Sequence, residues 1–279
     1  MSQTADEALK TAISQLRGAG VADPARDARR LLAHALDCPP SRLTLALPER
    51  ISRGALARLA TMVAARKQHQ PVAQILGLRE FRGQQFRVTR AVLDPRPETE
   101  ILVEKALALG FHRVLDLGCG SGCILLSLLA ERADATGLGV DISPGALEIA
   151  AVNAGALGVA SRADLRVSDW FSDVEGTFDL IVANPPYIAA HEMAGLARDV
   201  VDWEPALALI AGPVGTEAYR SIARDIAAHL APGGHALLEI GPTQGAEVSR
   251  IFQSAGLELL AIHPDLDGRD RVIALRRRG

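Results

Sequence analysis

The sequence predicts an α/β protein with a mostly parallel seven-stranded sheet, preceded by a small helical domain. Three observations lead there. The first 75 residues carry apolar side chains at helical spacing. From Arg113 onward, short apolar runs without alternation trade places with helical patterns, as strands buried on both faces do. The first of those runs, "RVLDLG", passes through a glycine loop straight into a helix.

The elements follow in order. Ala5, Ala8, Leu9, Ala12, Ile13 and Leu16 mark a first helix that Gly18 can end. Asp23 and Pro24 supply an N-cap and a first turn for "ARDARRLLAHAL". Leu56, Leu59, Met62 and Val63 define a further helix that stops before Pro71, so a helical domain is expected at residues 1–75. Phe81, Phe86 and Val88 around Gly83 suggest a hairpin, placed in a linker at 76–95. "DPRPETE" (94–100) is broken by prolines and leads into a helix near 101–109, opening a sheet domain at 96–279. Its strands are "RVLDLG", "TGLGVDI", "LRVSDW", "DLIVAN", "HALLEI", "LELLAIH" and "RVIALRR". The helices between them include "CILLSLLAE", one opened by Ser143 and Pro144, and "TEAYRSIARDIAAHL". Ligands of such sheets bind at the carboxyl ends of the strands.

Composition narrows the class. A net charge of −3 over 279 residues gives no general pull toward nucleic acid, and Arg276-Arg277-Arg278 reads as a solvated end. The start "MSQTADEALK" lacks a basic, then apolar leader. No apolar run approaches the roughly 18 residues of a membrane span, so a soluble, cytoplasmic protein is expected. Cys38, Cys119 and Cys123 make no disulfide framework and no zinc set. "HEMAG" has Gly195 where a zinc-protease helix needs its second histidine, and no metal is expected.

Four strand ends carry the candidate chemistry. "DLGCGSG" (116–122) spaces its glycines G-x-G-x-G; the dinucleotide fingerprint would want the third one residue later, where Cys123 stands, and no Walker lysine follows. The loop either cradles a ligand or is a tight strand-to-helix turn. Asp141 ends the next strand, where it can accept two ribose hydroxyls or simply terminate the strand beside Ser143. In "SDW" (168–170), Asp169 can accept an adenine amine, and Trp170 offers a flat face or a core side chain. "NPPY" (184–187) closes the fourth strand, its prolines fixing φ and removing two backbone donors.

With those four ends, the chain resembles the Rossmann-like class I S-adenosylmethionine-dependent methyltransferases of the Asn-Pro-Pro-Tyr type, which act on planar nitrogens. A planar amide nitrogen is a poor nucleophile. The Asn184 oxygen and a carbonyl expected at Pro185 can each accept one N–H of an NH₂ group and aim it at the methyl donor. Outside the core, "PVAQILGLREFRG", "PRPETE", "EPALAL", "LLEIGPTQG" and "DLDGRDRVI" resemble the release-factor glutamine methyltransferase (PrmC/HemK) family over nearly the whole chain. The resemblance implies N5-methylation of the glutamine in the Gly-Gly-Gln motif of class I peptide chain release factors, with S-adenosyl-L-methionine as donor and S-adenosyl-L-homocysteine as product. It implies a donor site of Gly118, Cys119, Gly120, Ser121, Gly122, Asp141, Asp169, Trp170 and Asn184. The glutamine would meet Asn184, Pro185, Pro186 and Tyr187, with catalytic roles for Asn184, Pro185 and Tyr187, while Arg96 and Glu98 line the site. A monomer acting on a protein, without nucleic acid or membrane, is expected. The readings held beside it are a ribosomal-protein glutamine methyltransferase, a nucleic-acid amino-methyltransferase and a non-catalytic binding module. Two departures from the family pattern, Asp94 before Pro95 and Val214-Gly215-Thr216, fall outside the four strand ends.

Overall fold

Helix α1 (Ala5–Gly18) begins where Thr4 can cap it: the Thr4 hydroxyl accepts the Glu7 N–H at 3.3 Å and the Glu7 carboxylate accepts the Thr4 N–H at 2.9 Å. Asp23 caps α2 (Pro24–Ala35) by accepting the Arg26 N–H. After the short α3 (Leu43–Ala46), Ser52 caps α4 (Arg53–Lys67), and α5 (Val72–Leu76) ends at Gly77 with φ of 71°. Leu9, Leu16, Leu31, Leu32, Leu59 and Val63 form the common core of these helices. Full burial of one such side chain contributes about 1.5–3 kcal/mol.

This computed structural model describes residues 3–278, so Met1, Ser2 and Gly279, at the outer ends of the two expected domains, lie outside the described residues. The chain divides into two units, one running to Leu78 and including Ala197–Trp203, the other holding Arg79–Leu196 and the chain from Glu204 onward. Among the described residues no helix is long and apolar enough to cross a membrane.

Strands β1 (Leu78–Phe81) and β2 (Gln84–Arg87) form a hairpin with Arg82 and Gly83 at its tip. Both tip residues have positive φ, 50° and 72°, as a tight two-residue turn requires. Phe81 and Phe86 meet edge to face across it, their ring centroids 5.9 Å apart. The family departure Asp94 is buried and pairs with Arg79 at 3.5 Å. There follow α6 (Thr99–Leu107), β3 (Arg113–Leu117), α7 (Cys123–Glu131), β4 (Thr136–Asp141), α8 (Pro144–Ala156), β5 (Ala163–Val167) and β6 (Phe178–Ala183). After β7 (Ile188–Ala189) and α9 (Arg198–Val201) come β8 (Ile210–Gly212), α10 (Glu217–His229), β9 (Leu230–Glu239), α11 (Gly245–Ser254), β10 (Leu257–Pro264) and β11 (Asp270–Arg277).

The seven-stranded sheet has the order β10-β11-β9-β6-β3-β4-β5. The five strands from β9 to β5 are parallel, and β11 runs antiparallel to both β9 and β10. Its apolar runs divide by parity. Leu115, Leu117, Ile181, Ala183 and Leu238 face Tyr219, Ile222 and Phe252 of α10 and α11. Val114, Leu180, Val182 and Leu237 face α6 and α7 on the opposite side. The same period of two puts Asp116, Asn184 and Glu239 on the α6–α7 side.

Two features were not expected. Strands β7 and β8 form a separate parallel pair too short for periodicity to reveal. "HEMAG" lies in a 3₁₀ helix at Ala190–Gly195. The expected strand "RVIALRR" is the body of β11, where Arg276 stays solvent-exposed and pairs with Glu258 at 2.7 Å.

Segment Ala197–Trp203, read from the sequence as part of the sheet domain, belongs to the helical unit. Buried Arg66 holds it there: Nε donates to Asp27 at 2.7 Å, Nη2 to Asp199 at 3.4 Å, and Nη1 to the carbonyls of His69 and Gln70. A desolvated guanidinium must satisfy its donors this fully. Gln74 donates to the Trp203 carbonyl, and the Trp203 indole donates to the Gln68 carbonyl.

Helix α7 lies hard against β4, which explains the glycines there. A Cβ on Gly137 would overlap Leu125 Cδ1 and sit 3.0 Å from Val114 Cγ1. Gly137→Ala should therefore destabilise the protein by about 1–3 kcal/mol, the usual cost of overpacking. Gly155→Ala on α8, where a Cβ meets nothing within 4 Å, should stabilise by up to about 1 kcal/mol. Chemical unfolding of both variants beside the parent measures the difference.

Candidate active site

The carboxyl end of β3 turns through Gly118, Gly120 and Gly122 with φ of 69°, 55° and 78°, a region closed to most side chains. The N–H groups of Gly118 and Cys119 both donate to the Val140 carbonyl, which anchors the loop to β4. The three glycines do different work. A Cβ on Gly120 would point into open space, and one on Gly118 would lie 3.7 Å from the Trp170 ring. One on Gly122 would strike Leu126 Cδ1 at 2.8 Å, so Gly122 lets the loop seat against α7.

Asp141 ties two loops together: Oδ2 accepts the Gly120 N–H and Oδ1 accepts the Ser143 N–H, each at 2.9 Å. A carboxylate offers about four lone pairs, so both oxygens keep acceptor capacity. At the end of β5, Ser168 donates its hydroxyl to the Trp170 carbonyl and accepts the Asp173 N–H. That clasp holds Trp170 at a φ of 51°, unusual for a bulky residue, with its ring packed partly on the core. Asp169 is exposed.

At the end of β6, Asn184 Nδ2 donates to Thr99 Oγ1 at 3.3 Å, and Thr99 Oγ1 donates to Glu239 Oε2 at 2.6 Å. The far side of the Asn-Pro-Pro-Tyr turn is held by Gln244, whose Nε2 donates to the carbonyls of Tyr187 and Gly215 and whose Oε1 accepts the Gly241 N–H. Gly215 sits in the segment that departs from the family pattern. A Cβ there would lie 2.9 Å from the Tyr187 carbonyl oxygen, so the departure keeps the glycine the contact needs.

These ends surround one cavity of ≈ 270 Å³. Its walls include Gly118, Cys119, Gly120, Ser121, Asp141, Asp169, Trp170, Asn184, Pro185, Pro186 and Arg96. Gly122, Tyr187 and Glu98 are not among the lining residues. Thr99 takes the place expected of Glu98, and Ile142, Pro205 and Leu207 complete walls that the sequence reading missed. Ile142 and Leu207 are apolar yet 53% and 72% exposed, a signal that appears only once neighbours are known. Arg96 is fixed by the buried Glu204 carboxylate, both of whose oxygens accept from Nη2, at 2.7 and 2.8 Å.

Burial dominates the electrostatics. Asp116 is fully buried; burial pushes its carboxyl up to about 7, the Leu125 N–H opposes the shift and Asp141 adds to it. Its Oδ1 has no hydrogen-bond partner among the described residues. Burial likewise lifts the thiol of Cys119 well up and that of Cys123 to about 12, so neither is a thiolate nucleophile. Burial, then the Glu239 charge, raises the Tyr187 phenol, with Arg271 opposing. Among the described residues no group of His, Cys, Asp and Glu could hold a metal ion.

Residues 7–77 match the family model described as the PrmC N-terminal domain, and residues 91–202 the one described as the methyltransferase small domain. Over 272 residues the chain is 57% identical to the release factor glutamine methyltransferase of Cereibacter sphaeroides, covering 98% of each chain. A methyltransferase structure from Pyrococcus furiosus aligns with a TM-score of 0.55 at 16% identity, over 79% of this chain and 98% of that one. A T. thermophilus 16S rRNA methyltransferase, solved in complex with AdoMet and guanosine, aligns with a TM-score of 0.52 at 20% identity, over 72% of this chain and 50% of that one. The two structural likenesses show the fold alone.

The raised Asp116 carboxyl has a consequence for stability. Between its ordinary 3.8 and about 7 the folded protein holds a proton that the unfolded chain has released. Its contribution is therefore complete below that window and is lost as pH rises through it. Asp116→Asn removes this titration. Unfolding free energies of the unliganded proteins, measured across the window, should shift in favour of the variant as pH rises and level off above it.

Proposed function

The chain belongs to the release factor glutamine methyltransferase family, and from that premise we propose that it transfers a methyl group from S-adenosyl-L-methionine to the side-chain N5 of the glutamine in the Gly-Gly-Gln motif of class I peptide chain release factors. The observation that carries the reading is the Asn184 amide. Its nitrogen is committed to Thr99, which leaves its oxygen as an acceptor at the cavity wall.

The residues fit the donor. Asp141 has acceptor capacity for ribose hydroxyls, and the space in front of Gly120 is one that a Cβ would enter. Trp170 and Ile142 give flat and apolar surfaces for an adenine, and Asp169 gives an acceptor for its amine. When bound, the donor supplies an electrophilic methyl on a positively charged sulfur.

The chain's own residues then act on the glutamine. Asn184 Oδ1 and the Pro185 carbonyl each accept one N–H of the substrate amide, which fixes the nitrogen's orientation. As positive charge builds on that nitrogen its N–H groups become stronger donors, so both acceptors bind the transition state more tightly than the ground state. Pro185 and Pro186 hold the turn rigid, while Tyr187 backs the planar group from a position braced by Gln244. Arg96 stands beside the substrate's path, immobilised by Glu204. A methylated amide nitrogen that still carries its extra proton is strongly acidic and releases it to water, so no dedicated base is required. The helical unit is the part of the chain that recognises the release factor.

Release factor incubated with the protein and methyl-labelled S-adenosylmethionine should gain label, and a Gln→Ala change in its Gly-Gly-Gln motif should abolish the gain. Label appearing only on ribosomal protein or DNA would overturn the assignment. Asn184→Ala should lower kcat by about 100-fold or more, the scale of losing one preorganised transition-state partner, with donor affinity by calorimetry close to the parent. Asp141→Ala should instead weaken donor binding by at least about tenfold, as loss of charged hydrogen bonds does; an unchanged Kd removes Asp141 from the donor site.

A further inference from the structure

Three stretches far apart in the chain, "PRPETE", "LLEIGPTQG" and "DLDGRDRVI", meet at one buried group. Thr99 comes from the first, Glu239 from the second and Arg271 from the third, and they are 2%, 1% and 6% exposed. The Glu239 carboxylate accepts the Thr99 hydroxyl at 2.6 Å and faces Arg271 Nη1 at 3.8 Å. Arg271 is held in turn by Asp265 at 3.3 Å and by the Ile240 carbonyl. The only one of the three to touch Asn184 is Thr99, through the 3.3 Å bond from Nδ2.

We propose that Thr99 and Glu239 are positioning residues: together they decide which end of the Asn184 amide faces the substrate. This rests on the reading of Asn184 as an acceptor for the glutamine NH₂. An ionised carboxylate accepts and never donates, so the Thr99 proton must point at Glu239. Thr99 then has only lone pairs to offer Asn184, and the amide must turn its nitrogen toward Thr99 and its oxygen toward the cavity. A proton on Glu239 removes that compulsion. The Thr99 hydroxyl is then free to donate to Asn184 Oδ1, and the overturned amide would present its NH₂ to the substrate's NH₂, donor against donor.

Titration of Glu239 falls where this matters. Burial pushes its carboxyl up to about 7, against the hydrogen bond from Thr99 and the charge of Arg271. The other groups that bear on it are Glu98, which raises it, and Arg96, which lowers it, both in the segment just before α6. Tyr187 and Tyr219 feel its charge, and Tyr219 donates its hydroxyl to the Glu239 carbonyl at 3.0 Å.

The test uses the full chain, with and without donor and release factor. In the free protein, the Asn184 side-chain NH₂ signals in ¹⁵N–¹H spectra, assigned by their loss in Asn184→Ala, should titrate with a midpoint near 7. That titration should disappear in Glu239→Gln and in Thr99→Val. In turnover, Thr99→Val should lower kcat between about threefold and tenfold, the worth of one neutral hydrogen bond, with donor Kd unchanged. Thr99→Ser keeps the hydroxyl and should restore most of the rate. The parent's kcat should fall as pH drops through that midpoint, and Glu239→Gln should lack the step. An Asn184 signal that does not titrate, or one that still titrates in folded Glu239→Gln, overturns the relay even where the parent methylates release factor. A parent that transfers no label overturns the reaction assignment instead, and the spectra still decide the relay.

Discussion

Because β3 hydrogen-bonds to β4 along one edge and to β6 along the other, the connections leaving these strands diverge. The chain that follows β3 goes over to β4 and then β5, while the later strands β6 and β9 fill the opposite side. The loops must therefore part above the carboxyl end of β3, and a crevice opens there without any side chain being removed to make it. The glycine loop, Asp141 and Asn184 are all first residues past a strand end around that point, or close to it. Strand pairing brings them together; the sequence distance between Gly118 and Asn184 has no bearing on it. The close seat of α7 on Gly137 and Gly139 belongs to the same constraint, since the helix that leaves the glycine loop has to lie directly on β4.

The crevice is dressed with buried carboxyls that the core alone has no use for. Asp116 and Glu239 interrupt otherwise apolar strands on the α6–α7 face, and each contacts the start of a helix: Asp116 the Leu125 N–H of α7, Glu239 the Thr99 hydroxyl of α6. Burying a carboxylate is costly unless it is paired. Glu239 is compensated by Thr99 and Arg271, whereas among the described residues Asp116 finds no partner for one of its oxygens. Both carboxyls are pushed up to about 7, so the site stores two protonation equilibria in the range where a small change in surroundings moves them.

Much of this was legible in the residues. Helix starts were readable from Asp23-Pro24 and Ser143-Pro144 because capping is local chemistry, and both side chains do accept the expected N–H groups. Strand identity was readable from unalternating apolar runs, and the glycine triplet from its spacing. What escaped has a common cause. Glu98 and Thr99 differ by one position, and the prolines of "DPRPETE" hide the helical phase that decides which of them faces inward. Gly122 looks like its two companions in the sequence, but a Cβ there would meet Leu126 one turn along α7 and Ala150 of α8, the second a contact that exists only after the helices have packed. Segment 197–203 has no periodicity to place it, and its attachment depends on Arg66 finding Asp199 far along the chain. Local rules were visible, and side-chain meetings between distant segments were not.

The choice of a charged group at the root of the Asn184 contacts follows from symmetry. An amide and a hydroxyl each donate and accept, so a chain made only of such groups has two hydrogen-bonded arrangements of similar energy. Something acceptor-only or donor-only must stand at one end to select between them. A serine or glutamine in place of Glu239 would satisfy Thr99 equally well in either direction. The ionised carboxylate cannot, and Arg271 keeps its charge tolerable inside the protein. Asn184 has to offer an oxygen and never an NH₂ to another NH₂, so the network needs a direction as well as a shape. A buried charge contributes that direction in a place where it adds little to stability.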